Sequence, residues 1–210
     1  MSGDSLIEFK SELEIAISEF GLPGLSEAQA IRLILHYSTL CKWNRRLNLT
    51  RIIGARESAR LHYAESLFAA KFVVSAESLL DIGSGAGFPV IPLAVCLPDV
   101  RCTALEANQK KSTFLKEVKD ELGLANLEVA CQRVEEFSIS GYHVLTSRAL
   151  DRAATILPSI VERMEPTQKF VLFCGQDLLT GLSSLAELEI EVHPIPESES
   201  RYIAILFRKV

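Results

Sequence analysis

A chain of 210 residues, 48% of them hydrophobic, can bury the core of one ordinary domain, which excludes a disordered polypeptide. Its five cysteines (Cys41, Cys96, Cys102, Cys131, Cys174) are odd in number and scattered with no C-x-x-C pair, which argues against a disulfide framework and a zinc site, so no metal is expected. The net charge of −5 hides an uneven spread: Cys41 to Arg60 carries six basic residues against Glu57 alone, whereas Asp177 to Ser200 carries six acids and no Lys or Arg.

The first residues carry acids where a signal peptide would be basic, and no apolar run reaches bilayer length, so a soluble, cytoplasmic protein without a membrane partner is expected. Leu6, Phe9, Leu13, Ala16, Ile17 and Phe20 recur at helical spacing until Gly21-Leu22-Pro23-Gly24. Ser26-Glu27-Ala28-Gln29 has the form of a capping box and opens a second helix toward Trp43. The stretch Lys42-Trp43-Asn44-Arg45-Arg46-Leu47-Asn48-Leu49-Thr50 is able to stack on and hydrogen-bond to a ligand, or its Trp plugs the helices onto the main sheet. A third helix through Ser58, His62, Glu65 and Ala70 completes a helical subdomain over 1–75.

From position 77 strands and helices alternate. Strands are expected at 78–81, 101–106, 127–131, 142–146 and 169–173, and an antiparallel pair at 188–192 and 202–207 closes the chain. Seven strands, parallel at first, describe a doubly wound α/β sheet over 76–210, with its functional loops at the strand carboxyl ends.

The first of those strands ends in Asp81-Ile82-Gly83-Ser84-Gly85-Ala86-Gly87-Phe88-Pro89. A dinucleotide fingerprint G-x-G-x-x-G needs a third small residue where Phe88 stands. An acid ahead of the glycines also sits badly with a pyrophosphate, but it suits a cofactor with a cationic amino-acid end such as S-adenosylmethionine. Asp81 is the candidate to organise the loop or meet that ammonium, and Gly83 and Gly85 let backbone approach the ligand. Glu106 ends the second strand about where a ribose-binding carboxylate belongs. A plain tight turn would need the same glycines, and Glu106 and Glu135 also read as surface carboxylates. The residues alone leave both readings open.

In this order, Lys42-Trp43-Asn44 with Asn48-Leu49-Thr50, the glycine loop with Ile91-Pro92-Leu93-Ala94, Lys110-Lys111 with Phe114-Leu115, Arg133-Val134-Glu135-Glu136-Phe137 and Ser147-Arg148-Ala149 resemble the bacterial glucose-inhibited division protein B family. That family methylates guanine N7 in 16S ribosomal RNA of the small subunit. The resemblance implies a Rossmann-like class I methyltransferase sheet with an N-terminal helical extension. It implies S-adenosylmethionine as cofactor, held by Gly83, Phe88, Val134, Glu135 and Arg148. The partner it implies is 16S ribosomal RNA or the small ribosomal subunit, bound by a monomer.

Guanine N7 carries an unprotonated lone pair, so in-line transfer needs positioning rather than a general base. None of the four histidines is therefore expected to shuttle protons. His62 and Arg148 are the substrate-orienting candidates, Arg148 through either the cofactor carboxylate or guanine O6. Lys42, Arg45, Arg46 and Arg51, with the further basic residues up to Arg60, and Lys110 and Lys111 on the 110–119 helix form the expected RNA footprint. Three positions depart from the family pattern: Leu61 where an Arg precedes the His, for which Arg60 would substitute only in part, Val90 where a Gly follows the Pro, and Cys174 where a Lys precedes Gly175. A small-molecule methyltransferase and a non-catalytic ribosomal RNA-binding assembly protein are the competing classes.

Overall fold

Seven strands form one sheet in the order β3-β2-β1-β4-β5-β7-β6 in the computed structural model, which describes residues 3–148, 153–182 and 187–209. They are β1 (Ser78–Ile82), β2 (Arg101–Leu105), β3 (Leu127–Ala130), β4 (Val144–Ser147), β5 (Lys169–Gly175), β6 (Leu188–Pro194) and β7 (Arg201–Arg208). The first five run parallel, and β7 pairs antiparallel with both β5 and β6. The central strands β1 and β4 are buried throughout, as near-continuous apolar runs require, whereas β6 exposes most of its residues at the sheet edge.

Side-chain alternation divides the interior into two layers. Leu79, Val171, Phe173, Ile203 and Ile205 face one side, and Leu80, Ile82, Phe170, Leu172, Ala204 and Leu206 face the other. The first layer is covered by α1 (Gly3–Glu19), α2 (Glu27–Leu47), α5 (Val90–Cys96), α6 (Gln109–Leu122) and the helical segment between α2 and β1. The second is covered by α7 (Ala153–Arg163) and α8 (Gln176–Leu182).

The capping box forms as expected: Gln29 N donates to Ser26 Oγ at 3.3 Å, and Ser26 N donates to Gln29 Oε1 at 2.8 Å. The single third helix expected over 58–70 is instead α3 (Ala55–Ser58), a π turn (Ala59–Ala64), α4 (Glu65–Phe68) and a 3-10 turn (Ala69–Phe72). The widened turn frees carbonyls at Leu61 and His62, and a side chain from the sheet takes both. The strand expected at 142–146 starts two residues later, because His143 Nδ1 accepts from Glu77 N at 3.1 Å before pairing begins. Ala149 lies outside the described residues. No described helix is long and apolar enough to cross a membrane.

The helices are tied to the glycine loop by aromatic contacts. Phe9 stacks on Tyr37 with ring centroids 4.0 Å apart and meets Tyr63 edge-on at 4.9 Å. Tyr63 Oη lies 3.0 Å from His36 Nδ1, and His36 Nε2 lies 3.1 Å from Ala86 O inside the loop. A carbonyl accepts only, so Nε2 carries the proton and Nδ1 accepts from the tyrosine. Full burial holds His36 neutral, with its pKa lowered to about 3.

Candidate active site

The strand order reverses between β1 and β4, and an open α/β sheet takes its ligand in the crevice at that point. A cleft of about 980 Å³ opens there. Its walls are Asn48, Leu49, Thr50, Arg51 and His62 from the helical extension, Gly83 to Ala86 and Phe88 from the glycine loop, Lys111 from α6 and Arg148 from the end of β4.

Gly83, Gly85 and Gly87 adopt φ of +75°, +53° and +89°, which glycine alone takes without strain. Gly83 N and Ser84 N both donate to Leu105 O, at 2.8 and 3.1 Å, anchoring the loop to β2. A Cβ built on Gly83 meets nothing within 4 Å, so that position faces open cleft. Glu106, 7% exposed, accepts from Gly85 N at 2.9 Å and from Asn108 N at 2.8 Å. It thus shapes the loop, and each oxygen keeps a lone pair for a ligand hydroxyl.

Asp81 is fully buried. Its Oδ1 accepts from Thr146 Oγ1 at 2.9 Å, while Oδ2 has no partner. Desolvation pushes its pKa up to about 7 against the opposing hydrogen bond from Thr146. A buried carboxylate with one oxygen unmatched beside a glycine cradle fits a ligand with a cationic amino group.

His62 stacks on Phe88 with centroids 4.5 Å apart and planes 18° apart. Its Nε2 lies 2.9 Å from Thr50 Oγ1. Thr50 is fixed in turn by Asn44, whose Oδ1 accepts from Thr50 N at 2.8 Å and whose Nδ2 donates to Thr50 O at 2.9 Å. Burial, reinforced by the charge of Arg148, lowers the His62 pKa to about 3, so the ring is neutral at any physiological pH. The asparagines and threonine of the basic stretch therefore build the cleft wall. Trp43 joins α2 to α6 rather than meeting the sheet: it packs edge-on against Phe114 and donates to Glu117 Oε1 at 2.9 Å.

Arg148 reaches back from β4 into the π turn. Nη1 donates to His62 O at 3.1 Å, and Nη2 donates to Leu61 O and, at 3.3 Å, to Glu65 Oε2. Its guanidinium carbon lies 5.8 Å from the Phe88 ring centroid. Because backbone carbonyls make these contacts, Leu61 fulfils them whatever its side chain. Glu65 is 2% exposed, and its other oxygen accepts from Arg201 Nε at 2.7 Å. Neither Glu65 nor Arg201 carried a sequence signal for this role, since the contact joins positions 136 apart.

The expected site residues thus divide. Gly83, Gly85, Phe88, His62, Arg148, Arg51 and Lys111 meet in the cleft, with Asp81 and Glu106 buried directly behind the loop. Val134 and Glu135 fall in the turn after β3 and are not among the lining residues. Val134 is instead buried in the second layer, where Arg163 Nη1 donates to its carbonyl at 2.8 Å, and Glu135 is exposed. Lys42, Arg45, Arg46 and Lys110 are exposed outside the cleft. Arg60 must be removed from the basic footprint: it is half-buried and paired with Glu19 and, at 3.8 Å, Glu197. Of the other departures, Val90 is buried in the first layer, and Cys174 is buried at the end of β5.

A family model described as rRNA small subunit methyltransferase G matches residues 29–195. The ribosomal RNA small subunit methyltransferase G of Laribacter hongkongensis is 44% identical over 152 residues, 70% of this chain and 71% of the relative. Its counterpart in Neisseria gonorrhoeae is 40% identical over 148 residues, with the same coverage of both chains. Among solved structures, an rRNA methylase from Streptococcus thermophilus shares the fold, with a TM-score of 0.53 at 12% identity over 69% of this chain and 96% of that one. With the glycine loop, the buried carboxylate behind it and the switch-point cleft already in place, these matches show that the chain belongs to the rRNA small subunit methyltransferase G family.

Proposed function

We propose that this protein transfers a methyl group from S-adenosylmethionine to guanine N7 in the 16S ribosomal RNA of the small subunit. The observation that carries the reading is a single cleft in which the glycine loop, with the unmatched Asp81 Oδ2 buried behind it, faces two basic side chains, Arg51 and Lys111, and no described lining residue is fit to remove a proton. When bound, the cofactor supplies an electrophilic methyl on a sulfonium.

The chain's own residues then need only bind, orient and exclude water. Asp81, Gly83 and Gly85 hold the amino-acid end, and Glu106 is placed for hydroxyls. Phe88 and the neutral His62 form a rigid stacked pair that gives the nucleobase side of the cleft a flat apolar wall. Arg148, locked by two backbone carbonyls, fixes the distance between the helical subdomain (1–75) and the methyltransferase core (76–210). The reading is of a monomer, acting in the cytoplasm where small subunits reside.

Small ribosomal subunits lacking the modification, incubated with radiolabelled cofactor, should take label at one 16S guanine, mapped by cleavage at N7-methylguanine. Label on small molecules only, or none, would reject the reading. Replacing Arg51 and Lys111 together by Ala should lower the salt dependence of RNA binding by roughly 1.4 in log–log slope, about 0.7 for each lost contact to a single strand. An unchanged slope would place the RNA elsewhere.

Asp81 also gives cofactor binding a defined pH dependence. Its pKa is about 7 in the free protein against an ordinary 3.8. Below pH 7 the ammonium must therefore displace a proton, so affinity should rise with pH by up to about tenfold per unit and level off above 7. The free fold responds oppositely: it holds a proton that the unfolded chain releases, so this contribution to stability is full below pH 3.8 and falls as pH rises toward 7. Calorimetry of cofactor binding from pH 5.5 to 8 should show the rise, and an Asp81→Asn variant should flatten it. A flat wild-type profile would reject the ammonium contact.

A further inference from the structure

We infer that Arg201 binds a backbone phosphate of the substrate RNA beside the methyl-transfer cleft, held in position by Glu65. The inference rests on the proposed RNA substrate and adds a contact outside the residues assigned to it. A second cavity, of about 230 Å³, adjoins the first and shares Arg148 with it. Its other walls include Glu65, Phe173, Gly175 and Arg201. Arg201 stands directly across the β5–β7 pair from Gly175, so the absence of a side chain there leaves the guanidinium room at the carboxyl end of β5.

The two arginines that share Glu65 are used differently. Arg148, 16% exposed, spends both Nη groups on protein acceptors. Arg201, 40% exposed, is anchored through Nε alone, and among the described residues neither of its Nη groups makes a hydrogen bond. An arginine clamped at Nε with its Nη pair free is a preorganised donor fork, and two guanidiniums around one carboxylate leave the cavity net positive.

Chemistry selects the ligand. The fork's usual nucleobase partner is the O6/N7 edge of guanine, but a donor on N7 would occupy the lone pair that must accept the methyl group. The guanine N1–H and N2–H₂ are donors, which an arginine cannot accept. A phosphodiester oxygen pair has acceptors only and matches both Nη groups, so the fork holds the strand while the base is left free to react.

The test compares wild type, Arg201→Gln, Arg201→Lys and Glu65→Gln in methyl transfer to unmodified small subunits across a salt series, with cofactor affinity from calorimetry. Arg201→Gln should raise KM for the subunit about tenfold, the loss of one charge-assisted contact, and reduce the log–log salt slope by about 0.7. Its cofactor affinity should stay at the wild-type value. Arg201→Lys should keep the slope, because the charge remains, with an intermediate KM. Glu65→Gln keeps both arginine charges and should also keep the slope.

An Arg201→Gln enzyme with wild-type KM and slope overturns the assignment, as does a slope lost equally in Glu65→Gln, which would make the effect one of packing. A matching fall in cofactor affinity would move Arg201 to the cofactor and overturn it as well. No methyl transfer by the wild type would reject the RNA substrate itself, and the inference with it; wild-type label with an indifferent Arg201→Gln rejects the inference alone.

Discussion

Replacing Arg148 by Ala should destabilise the fold by about 3–5 kcal/mol and abolish methyl transfer together, the cost of breaking a buried ion pair from one side. The side chain is 16% exposed, and its partner Glu65 is 2% exposed. Removing the guanidinium leaves one Glu65 oxygen without a cation, takes the side-chain donor from the Leu61 carbonyl and leaves the His62 carbonyl with the Ser66 hydroxyl. Those carbonyls lie in a π turn that lacks the regular α-helical pattern, so the turn should relax and carry His62 off Phe88. Urea denaturation alongside the methylation assay checks both effects. Arg148→Lys separates them: a single ammonium can still neutralise Glu65 but cannot span two carbonyls, so stability should recover in part while activity does not. A stability loss under about 1 kcal/mol in Arg148→Ala would mean that Glu65 is satisfied by Arg201 alone.

The same arginine marks where sequence reasoning stopped. Its importance was legible from Ser147-Arg148 at a strand end, but its partners were not, because carbonyls at 61 and 62 become acceptors only if the helix widens there. The repeat of Ser58, His62, Glu65 and Ala70 fits an α-helix equally well. The sheet was legible for the opposite reason: Leu79 against Leu80 and Ile82, or Ile203 and Ile205 against Ala204 and Leu206, sort to two faces by period alone. The glycine loop was legible because three positive φ values in five residues leave almost no other composition possible.

The readings that shifted depend on tertiary partners. Trp43 serves packing because Phe114 and Glu117 present themselves one turn apart on α6. Arg60 leaves the RNA footprint because Glu19 and Glu197 reach it from α1 and from the turn before β7. Thr50 stood in a stretch legible as ligand-facing, but its partners did not show, since only the fold brings Asn44 and His62 to it. Each of these contacts is invisible to local pattern, which reports faces and turns but not which faces meet.

Two glycines four residues apart in the loop should fail in different ways. A Cβ on Gly87 would lie 2.5 Å from Ile91 Cγ1 and 3.3 Å from His36 Nε2. Ile91 and His36 are both fully buried, so neither can swing aside. With φ at +89° as well, Gly87→Ala should cost about 3 kcal/mol from overpacking and backbone strain combined, seen as a lowered denaturation midpoint. At Gly83 the same Cβ meets no protein atom, so Gly83→Ala should lose only about 1 kcal/mol, from its φ of +75°. The new methyl would instead stand in the cleft where the cofactor must approach the backbone, and cofactor affinity should fall by at least about tenfold. If Gly83→Ala bound the cofactor like wild type, the glycine loop would be a turn that closes the strand, and the ligand would have to be sought on another wall of the cleft. If it folds normally and fails to bind, the cradle is a binding surface, and the left-handed backbone at Gly83 serves the ligand rather than the fold.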